Sequence, residues 1–400
     1  MKENVNKLHA ISNKSVRTVI GLMSGTSVDG LDVALCSFEG SGLNTKFSLL
    51  HFETVAFDVE MKAEIKSVFS KKQIDFEKLT LLNPWIALQH AAIINLLLKK
   101  WGLKNEEVDL MASHGQTVYH APKHLHRQNK FGNATLQIGD GDHLAVATGI
   151  ITLSDFRQKH IAAGGEGAPL AVYGDYLLFS KKGEDRLLLN IGGIANFTVL
   201  PGNMKLQEVI CTDVGPGNSM LDTFMQQQFP GTYFDKDAAV AAAGKINTDL
   251  LTALKEDVFF VQPFPKTTGP ELFNLDYLDK TKQKTNTQSI SANDTMATLT
   301  KFSADMIVVA IKNSLLGKTG LKIFSSGGGM HNPLLMAHIK EQLPNCSFHT
   351  TSELGIDPDA KEALLFAVLA NECVCGDPST FGENSTAYPT VSMGKISFPS

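Results

Sequence analysis

Fifteen of the 33 glycines in this 400-residue chain fall in six short stretches: Gly21, Gly25 and Gly30; Gly139 and Gly141; Gly164, Gly165 and Gly167; Gly192 and Gly193; Gly215 and Gly217; and Gly327, Gly328 and Gly329. They sit at the ends of Val, Ile and Leu runs, not in the Ser- and Pro-rich company of linker glycine. Such a chain must fold as several strands whose connections let a backbone approach a ligand closely, which the missing Cβ permits. At roughly 150 residues per domain the length suggests two or three domains, large enough to fold without disulfide or metal staples. With 36 Lys and Arg against 41 Asp and Glu, the net charge is −5. No basic block stands out, so the electrostatic footprint of a nucleic-acid or anionic-membrane binder is missing.

Residues 1–16 contain no apolar core of a secretory signal. The longest apolar run, Ile86 to Leu98, is interrupted by Gln89, His90 and Asn95, well short of the roughly 18 apolar residues of a membrane span. The five cysteines, Cys36, Cys211, Cys346, Cys373 and Cys375, show no paired spacing, as expected of reduced thiols in a cytoplasmic chain; Cys373-x-Cys375 is too tight for a zinc knuckle.

Three strands are expected at Arg17–Met23, Leu31–Cys36 and Phe47–Val55, so Ser24 to Gly30 forms the tip of a hairpin. A Walker loop or dinucleotide turn would open directly into a helix instead. A helix follows, with Asn83 as its cap and Pro84 at its first position. The strand Val108–Ala112 then delivers Ser113 to Thr117, and the strand Ala134–Ile138 ends at Gly139-Asp140-Gly141. A helix over 142–148 and the strand Ile150–Ser154 lead to Asp155-Phe156-Arg157. The second half repeats this order: strand Leu187–Asn190, Gly192-Gly193 turn, strand Ile194–Leu200, strand Glu208–Thr212 ending at Asp213. Asn293 and Asp294 cap a helical stretch through Leu316, Leu321–Phe324 is a strand before Gly327, and Asn332-Pro333 starts another helix. The last helix runs from about Asp357 to Cys375. The expectation is α/β, as two units of one topology.

The loop Ser24 to Gly30 offers glycine-freed amides, hydroxyls and the carboxylate of Asp29; it suits phosphate oxygens with a hydrated divalent cation at Asp29, or an ordinary turn. Gly192-Gly193 is either its counterpart or a plain type I′ turn. Gly327 to Gly329 would let a flat nucleobase slide along the backbone, or is merely a connection. Asp213, at the end of a strand where α/β ligands gather, is placed to take a proton from a hydroxyl or water; it is equally a helix cap. His114, Gln116 and His120 lack the spacing of a metal site or triad and suit hydrogen bonds to a polyhydroxylated substrate. Arg157 suits bidentate recognition of a carboxylate, or a surface ion pair.

The run Gly21-Leu22-Met23-Ser24-Gly25-Thr26-Ser27-Val28-Asp29-Gly30-Leu31-Asp32 closely resembles the anhydro-N-acetylmuramic acid kinase family of the actin, sugar-kinase and heat-shock ATPase superfamily. The match continues through Ser113 to Thr117, Gln137 to Gly141, Asp155 to Arg157, Ile161 to Gly165, Asn190 to Asn196, Asp213 with Gly215 to Asn218, Ser326 to Gly329, and Asp359 to Ala363. The resemblance implies two RNase H-like (actin-like ATPase) lobes with a nucleotide cleft between them: 17–183, completed by the helix 357–375, and 184–356. It implies ATP and Mg2+, with phosphate contacts from Gly25, Thr26, Ser27, Val28, Asp29, Gly30, Leu31 and Asp32, and from Gly192, Gly193 and Asn196. Adenosine would lie along Gly327, Gly328, Gly329 and Asn332, magnesium would be held through Asp29, and the sugar would meet His114, Gln116, Asp140, Arg157 and Glu362.

The reaction implied is ATP-dependent opening of 1,6-anhydro-N-acetylmuramic acid with phosphorylation of O6, in cell-wall recycling, Asp213 acting as base on the attacking water. The partner is thus a small anhydro amino sugar, in a cytoplasmic chain that neither binds nucleic acid nor enters a membrane; the family tends to form homodimers. Three positions depart from the family pattern: His160 for an acid, Glu166 for glutamine and Pro270 for arginine. They bear on the sugar side and leave the phosphate loops unchanged. The rival readings are a plain kinase of another sugar or acid, and an ATP-binding regulator without catalysis.

Overall fold

The computed structural model describes residues 2–315, 320–382 and 388–400, so the predicted helical residue Leu316 lies outside the described residues. The chain divides into two compact units, one of Met1–Phe179, Lys205–Gln207 and Gly355–Ser400, the other of Ser180–Met204 and Glu208–Leu354.

The first unit is built on strands β1 (Val16–Ser24), β2 (Gly30–Glu39), β3 (Lys46–Ala56), β4 (Leu110–Ala121), β5 (Ala134–Ile138) and β6 (Thr152–Ser154). Its sheet runs β6-β4-β1-β2-β3, with β5 paired to β4 and a short C-terminal strand, Lys395–Ser397, beyond β6. The first three strands are antiparallel, whereas β4 is parallel to β1 and β6 parallel to β4. β1 is buried along nearly all its length, as a strand covered on both faces must be. β3, at the edge, is half-buried or exposed throughout.

The second unit repeats this plan with β7 (Arg186–Ile191), β8 (Ile194–Leu200), β9 (Ile210–Pro216), β10 (Lys322–Ser326) and β11 (Ser347–Thr350), in the order β11-β10-β7-β8-β9. Again the first three are antiparallel and the last two parallel to the first. Two five-strand cores of order 3-2-1-4-5 are the RNase H-like arrangement expected from the sequence.

Several local expectations are corrected by tertiary contacts. The helix α1 (Phe76–Trp101) begins eight residues before Pro84: Asp75 caps it through Lys78 N, and Gly102 ends it with φ 73°. Asn83 instead accepts from Gly139 N at 2.9 Å. Although α1 is long and apolar enough by composition to cross a membrane, it spends Ile86, Ala91, Ile94 and Leu98 on the core of its unit. β4 continues through Ser113–Thr117, which are strand residues and not a loop; Gly115, with φ 71°, lets them bulge. The long helix near the chain's end starts at Ala292, and Asp294 accepts from Lys245 N at 2.6 Å instead of capping it.

His90, on α1, is 1 % exposed, stacks on Phe57 and has no hydrogen-bond partner at either ring nitrogen. Burial pushes its imidazole down to about 4. Unfolded, it titrates near 6.5. Between those values only the unfolded chain takes the proton, so His90 costs stability as pH falls, by about 1.4 kcal/mol per pH unit. His90→Leu is therefore expected to gain about 2 kcal/mol on wild type between pH 8 and pH 5, measured by denaturant unfolding at both pH values. Parallel pH dependence in the two proteins would refute this.

Candidate functional site

In the second unit a polar row crosses the sheet. Ser326 stands opposite Asn190, Asn190 opposite Asn196, and Asn196 opposite Asp213, and residues directly opposite in a sheet share a face. Asp213 lies within β9, three residues before its end, and not at the end as the sequence suggests. The ladder slips just past it, where Gly215 with φ 140° faces Ala195. Asp213 caps no helix: its Oδ2 accepts from Thr268 N at 3.0 Å. Burial raises its carboxyl above the usual range; the Thr268 amide opposes this and Glu271 adds to it. A carboxylate made more basic suits a general base.

Three glycine clusters distant in sequence converge at the end of this row. Gly217 N and Ser219 N donate to Gly193 O, at 2.9 and 3.1 Å, and Asn218 N donates to Gly192 O at 2.8 Å. A Cβ on Gly217 would lie 2.2 Å from Gly192 O, and one on Gly329 2.2 Å from Ile191 Cγ2. Gly327 has φ 80° and closes against Asn190 and Ile191. These glycines are demanded by packing. Gly192, Gly193 and Gly328 are not: their φ values are ordinary, and a Cβ on any of them would meet nothing nearer than 3.6 Å. The fold leaves room at those three tips for something outside the unit's own atoms.

Beside them a cavity of ≈ 620 Å³ is lined by Asn218, Asp222, Tyr233, Phe234, His331 and Asn332, among others. Tyr233 and Phe234 are 78 % and 59 % exposed, flat apolar faces available for stacking. Burial pushes the Asp222 carboxyl up to about 6. Asn332 does start the helix Pro333–Gln342, its Oδ1 accepting from Leu335 N at 2.9 Å. Asp222, Tyr233, Phe234 and Asn190 escaped the sequence reading. A Tyr-Phe pair in a polar, glycine-containing stretch was the one available signal.

In the first unit the loop after β1 leaves Thr26, Ser27 and Asp29 exposed and buries Val28, which takes φ 59°. A β-branched residue at positive φ is strained; it is retained here at the tip of the candidate phosphate loop. Gly25, like Gly192, meets nothing nearer than 3.7 Å. Gly30 lies against Val55 O, and Leu31 is a core residue with no exposed surface. Asp32, half-buried on β2, accepts from Thr54 Oγ1 at 2.6 Å. Burial raises its carboxyl, against the Thr54 hydrogen bond and with help from Asp359.

Gln116 is fully buried; its Oε1 accepts from Ser24 Oγ at 2.5 Å and its Nε2 donates to Gly25 O and Thr117 O. Its side chain is thus spent on the loop. Arg157 is no surface ion pair: its Nε donates to His114 Nε2 at 2.9 Å and its Nη1 to Gly167 O at 2.8 Å. For His114 to accept there it must be neutral and protonated at Nδ1, which faces Gly115 O at 2.8 Å. Burial and then the Arg157 charge push it down to about 3. Glu362, exposed at the start of the C-terminal helix Lys361–Cys375, interacts electrostatically with Arg157 and Asp32. Asp140 caps the helix Gly141–Thr148 through Asp142 N and His143 N and pairs with His143. His160 is buried and accepts from Gly167 N at 2.9 Å, while Glu166 pairs with His124.

Among the described residues no three His, Cys, Asp or Glu cluster as a metal site would. Mg2+ asks less, usually one or two carboxylates with waters and phosphate oxygens. Asp29 fits that need, since it is exposed and no side-chain hydrogen bond or ion pair engages it among the described residues.

The family model for anhydro-N-acetylmuramic acid kinase matches residues 17–399. Among curated proteins, those named anhydro-N-acetylmuramic acid kinase from Pseudoalteromonas atlantica (strain T6c) and Pseudoalteromonas translucida (strain TAC 125) are 52 % and 49 % identical, each alignment covering 100 % of both chains. The protein of that name from Caldanaerobacter subterraneus subsp. tengcongensis is 39 % identical over 98 % of this chain and 100 % of its own. Matches that run the full length of the chain take in both units, the polar row and every glycine cluster described above. The chain therefore belongs to the anhydro-N-acetylmuramic acid kinase family.

Proposed function

We propose that this protein uses ATP to open 1,6-anhydro-N-acetylmuramic acid and phosphorylate it at O6, giving N-acetylmuramic acid 6-phosphate and ADP in cell-wall recycling. The observation that carries the reading is Asp213, a carboxylate of raised basicity on the polar row of a sheet whose loops carry three open glycine tips, in a chain of this family. Asp213 takes a proton from the water that attacks the anomeric carbon. As the new C–O bond forms, the bond from that carbon to O6 breaks, and O6 takes the γ-phosphoryl group as its bond to ADP breaks.

The remaining residues position and neutralise, which is most of what phosphoryl transfer asks of a protein. The loop Gly25 to Gly30 of the first unit offers backbone amides for phosphate oxygens, and the Gly192-Gly193 turn of the second unit does the same. The cavity beside Gly328 and Asn332 takes the nucleoside, with Tyr233 and Phe234 against the base. Asp29 would hold Mg2+ through water, and the ion would offset the charge on the phosphates. Half-buried Arg157, held by His114 and Gly167, faces the sugar side with Glu362. The lobes carrying these parts are 17–183 with 357–375, and 184–356.

The test is incubation with ATP, Mg2+ and the anhydro sugar, followed by NMR. A ring-opened, 6-phosphorylated product is expected. Turnover of a reducing sugar with none of the anhydro compound would replace this reading with a plain sugar kinase, and tight ATP binding without turnover of either would make the protein a regulator.

A further inference from the structure

We propose that Lys266 is a positioning residue for Asp213: its ammonium anchors the segment 262–268, whose main chain holds the carboxylate in place. The inference rests on Asp213 being the base. That segment has neither helix nor strand, yet it is clamped to β9. Asp213 N donates to Lys266 O at 3.0 Å, Lys266 N donates to Thr212 Oγ1 at 2.9 Å, and Thr268 N donates to Asp213 Oδ2 at 3.0 Å. Any slip of residues 266–268 therefore moves the amide that fixes the carboxylate.

What pins the segment is the side chain of Lys266. It is 9 % exposed, and its Nζ donates to Phe259 O at 2.8 Å and Phe260 O at 3.2 Å. Both carbonyls belong to the single 3₁₀ turn Val258–Val261, whose Phe259 O also accepts from Gln262 N at 3.3 Å. The ammonium also lies 4.4 Å from the ring centroid of Phe259 and 5.4 Å from that of Phe264, within cation–π range. A buried cation costs free energy unless it is satisfied this fully, and a methionine would fill the same volume without that cost. Packing holds the segment where Phe264 meets Phe197, with ring centroids 5.9 Å apart, but its other side borders a cavity of ≈ 570 Å³ lined by Phe260, Phe264, Lys266 and Met306, among others. The ammonium is the tie on that side.

The test uses Lys266→Met and Lys266→Arg in the full chain, with Thr212→Val as a second way to loosen the clamp should Lys266→Met fail to fold. Lys266→Met is expected to lower kcat about 10- to 100-fold, the scale of a small misplacement of a reacting group, with KM for ATP changed less than about twofold. Lys266→Arg should restore part of the loss. The Asp213 carboxyl, followed by 13C NMR as the signal absent from Asp213→Asn, should titrate higher in Lys266→Met once the Thr268 hydrogen bond is loosened. In the Asp213→Asn background, Lys266→Met should add less than about twofold, as expected of coupled residues. An unchanged kcat, an unmoved Asp213 titration or full additivity would overturn the proposal. The titration is readable whether or not the anhydro sugar is turned over, so a failed activity reading and a failed anchor give different results.

Discussion

Asp213→Asn is expected to lower kcat about 10²- to 10⁴-fold, the contribution of a positioned general base, while ATP binds as before. Asparagine keeps the shape of the side chain and presents an oxygen to Thr268 N, which now donates to Asp213 Oδ2 at 3.0 Å. It loses the lone pair that takes the proton. Because burial already raises the Asp213 carboxyl, the charge is held at some cost, and the variant should unfold no more readily than wild type. Single-turnover kinetics, nucleotide titration calorimetry and thermal unfolding check the three parts. A kcat within tenfold of wild type, in a folded protein, would remove Asp213 from the base role.

Gly217→Ala is expected to damage both folding and nucleotide binding. Its Cβ would lie 2.2 Å from Gly192 O, a backbone atom held by Asn218 N. Something must shift by about 1 Å, and inserting a methyl group into a packed site costs about 1–3 kcal/mol. For a unit of this size that lowers Tm by roughly 2–12 °C. The displaced part is the Gly192-Gly193 turn, so affinity for ATP should fall more than about tenfold, on the reasoning that misplaced binding groups lose most of their value. Gly193→Ala is the contrast: its Cβ would meet Ser219 Cβ at 3.6 Å, an ordinary contact. It should leave Tm within about 2 °C and still weaken ATP binding, because the methyl group enters the space assigned to phosphate. Equal losses of Tm in the two variants, or full ATP affinity in Gly193→Ala, would contradict the division of the glycines into packing and ligand positions.

Much of the architecture was legible before any fold was known. Both glycine-tipped hairpins and their third strands were placed within a few residues, because strand character and turn chemistry are written in short stretches of chain, whereas β4 runs nine residues past its expected end at Ala112. The helix cap at Asn332-Pro333 was legible for the same reason. The identical signal at Asn83-Pro84 misled, since Asn83 gives its side chain to Gly139 N, an atom 56 residues away. Ser113 to Thr117 were misread as a loop because the polar run that ended the apolar pattern is accommodated by a bulge at Gly115.

The order of most strands, the glycine-rich loops and the place of Asp213 on a strand were determined by the sequence alone, through periodicity, turn residues and motifs that each span about ten residues. Only the tertiary structure decided that the glycines at 192–193, 217 and 327–329 meet around Ile191, and that some are forced by packing while Gly192, Gly193 and Gly328 are left open. It alone decided that Gln116 spends its side chain on the phosphate-loop strand, that Arg157 gives two of its donors to His114 and Gly167, and that Lys266 reaches Phe259 and Phe260. The physical reason is one of range. Backbone preference is local, whereas burial and the choice of hydrogen-bond partner depend on atoms that the chain brings near only after it has folded.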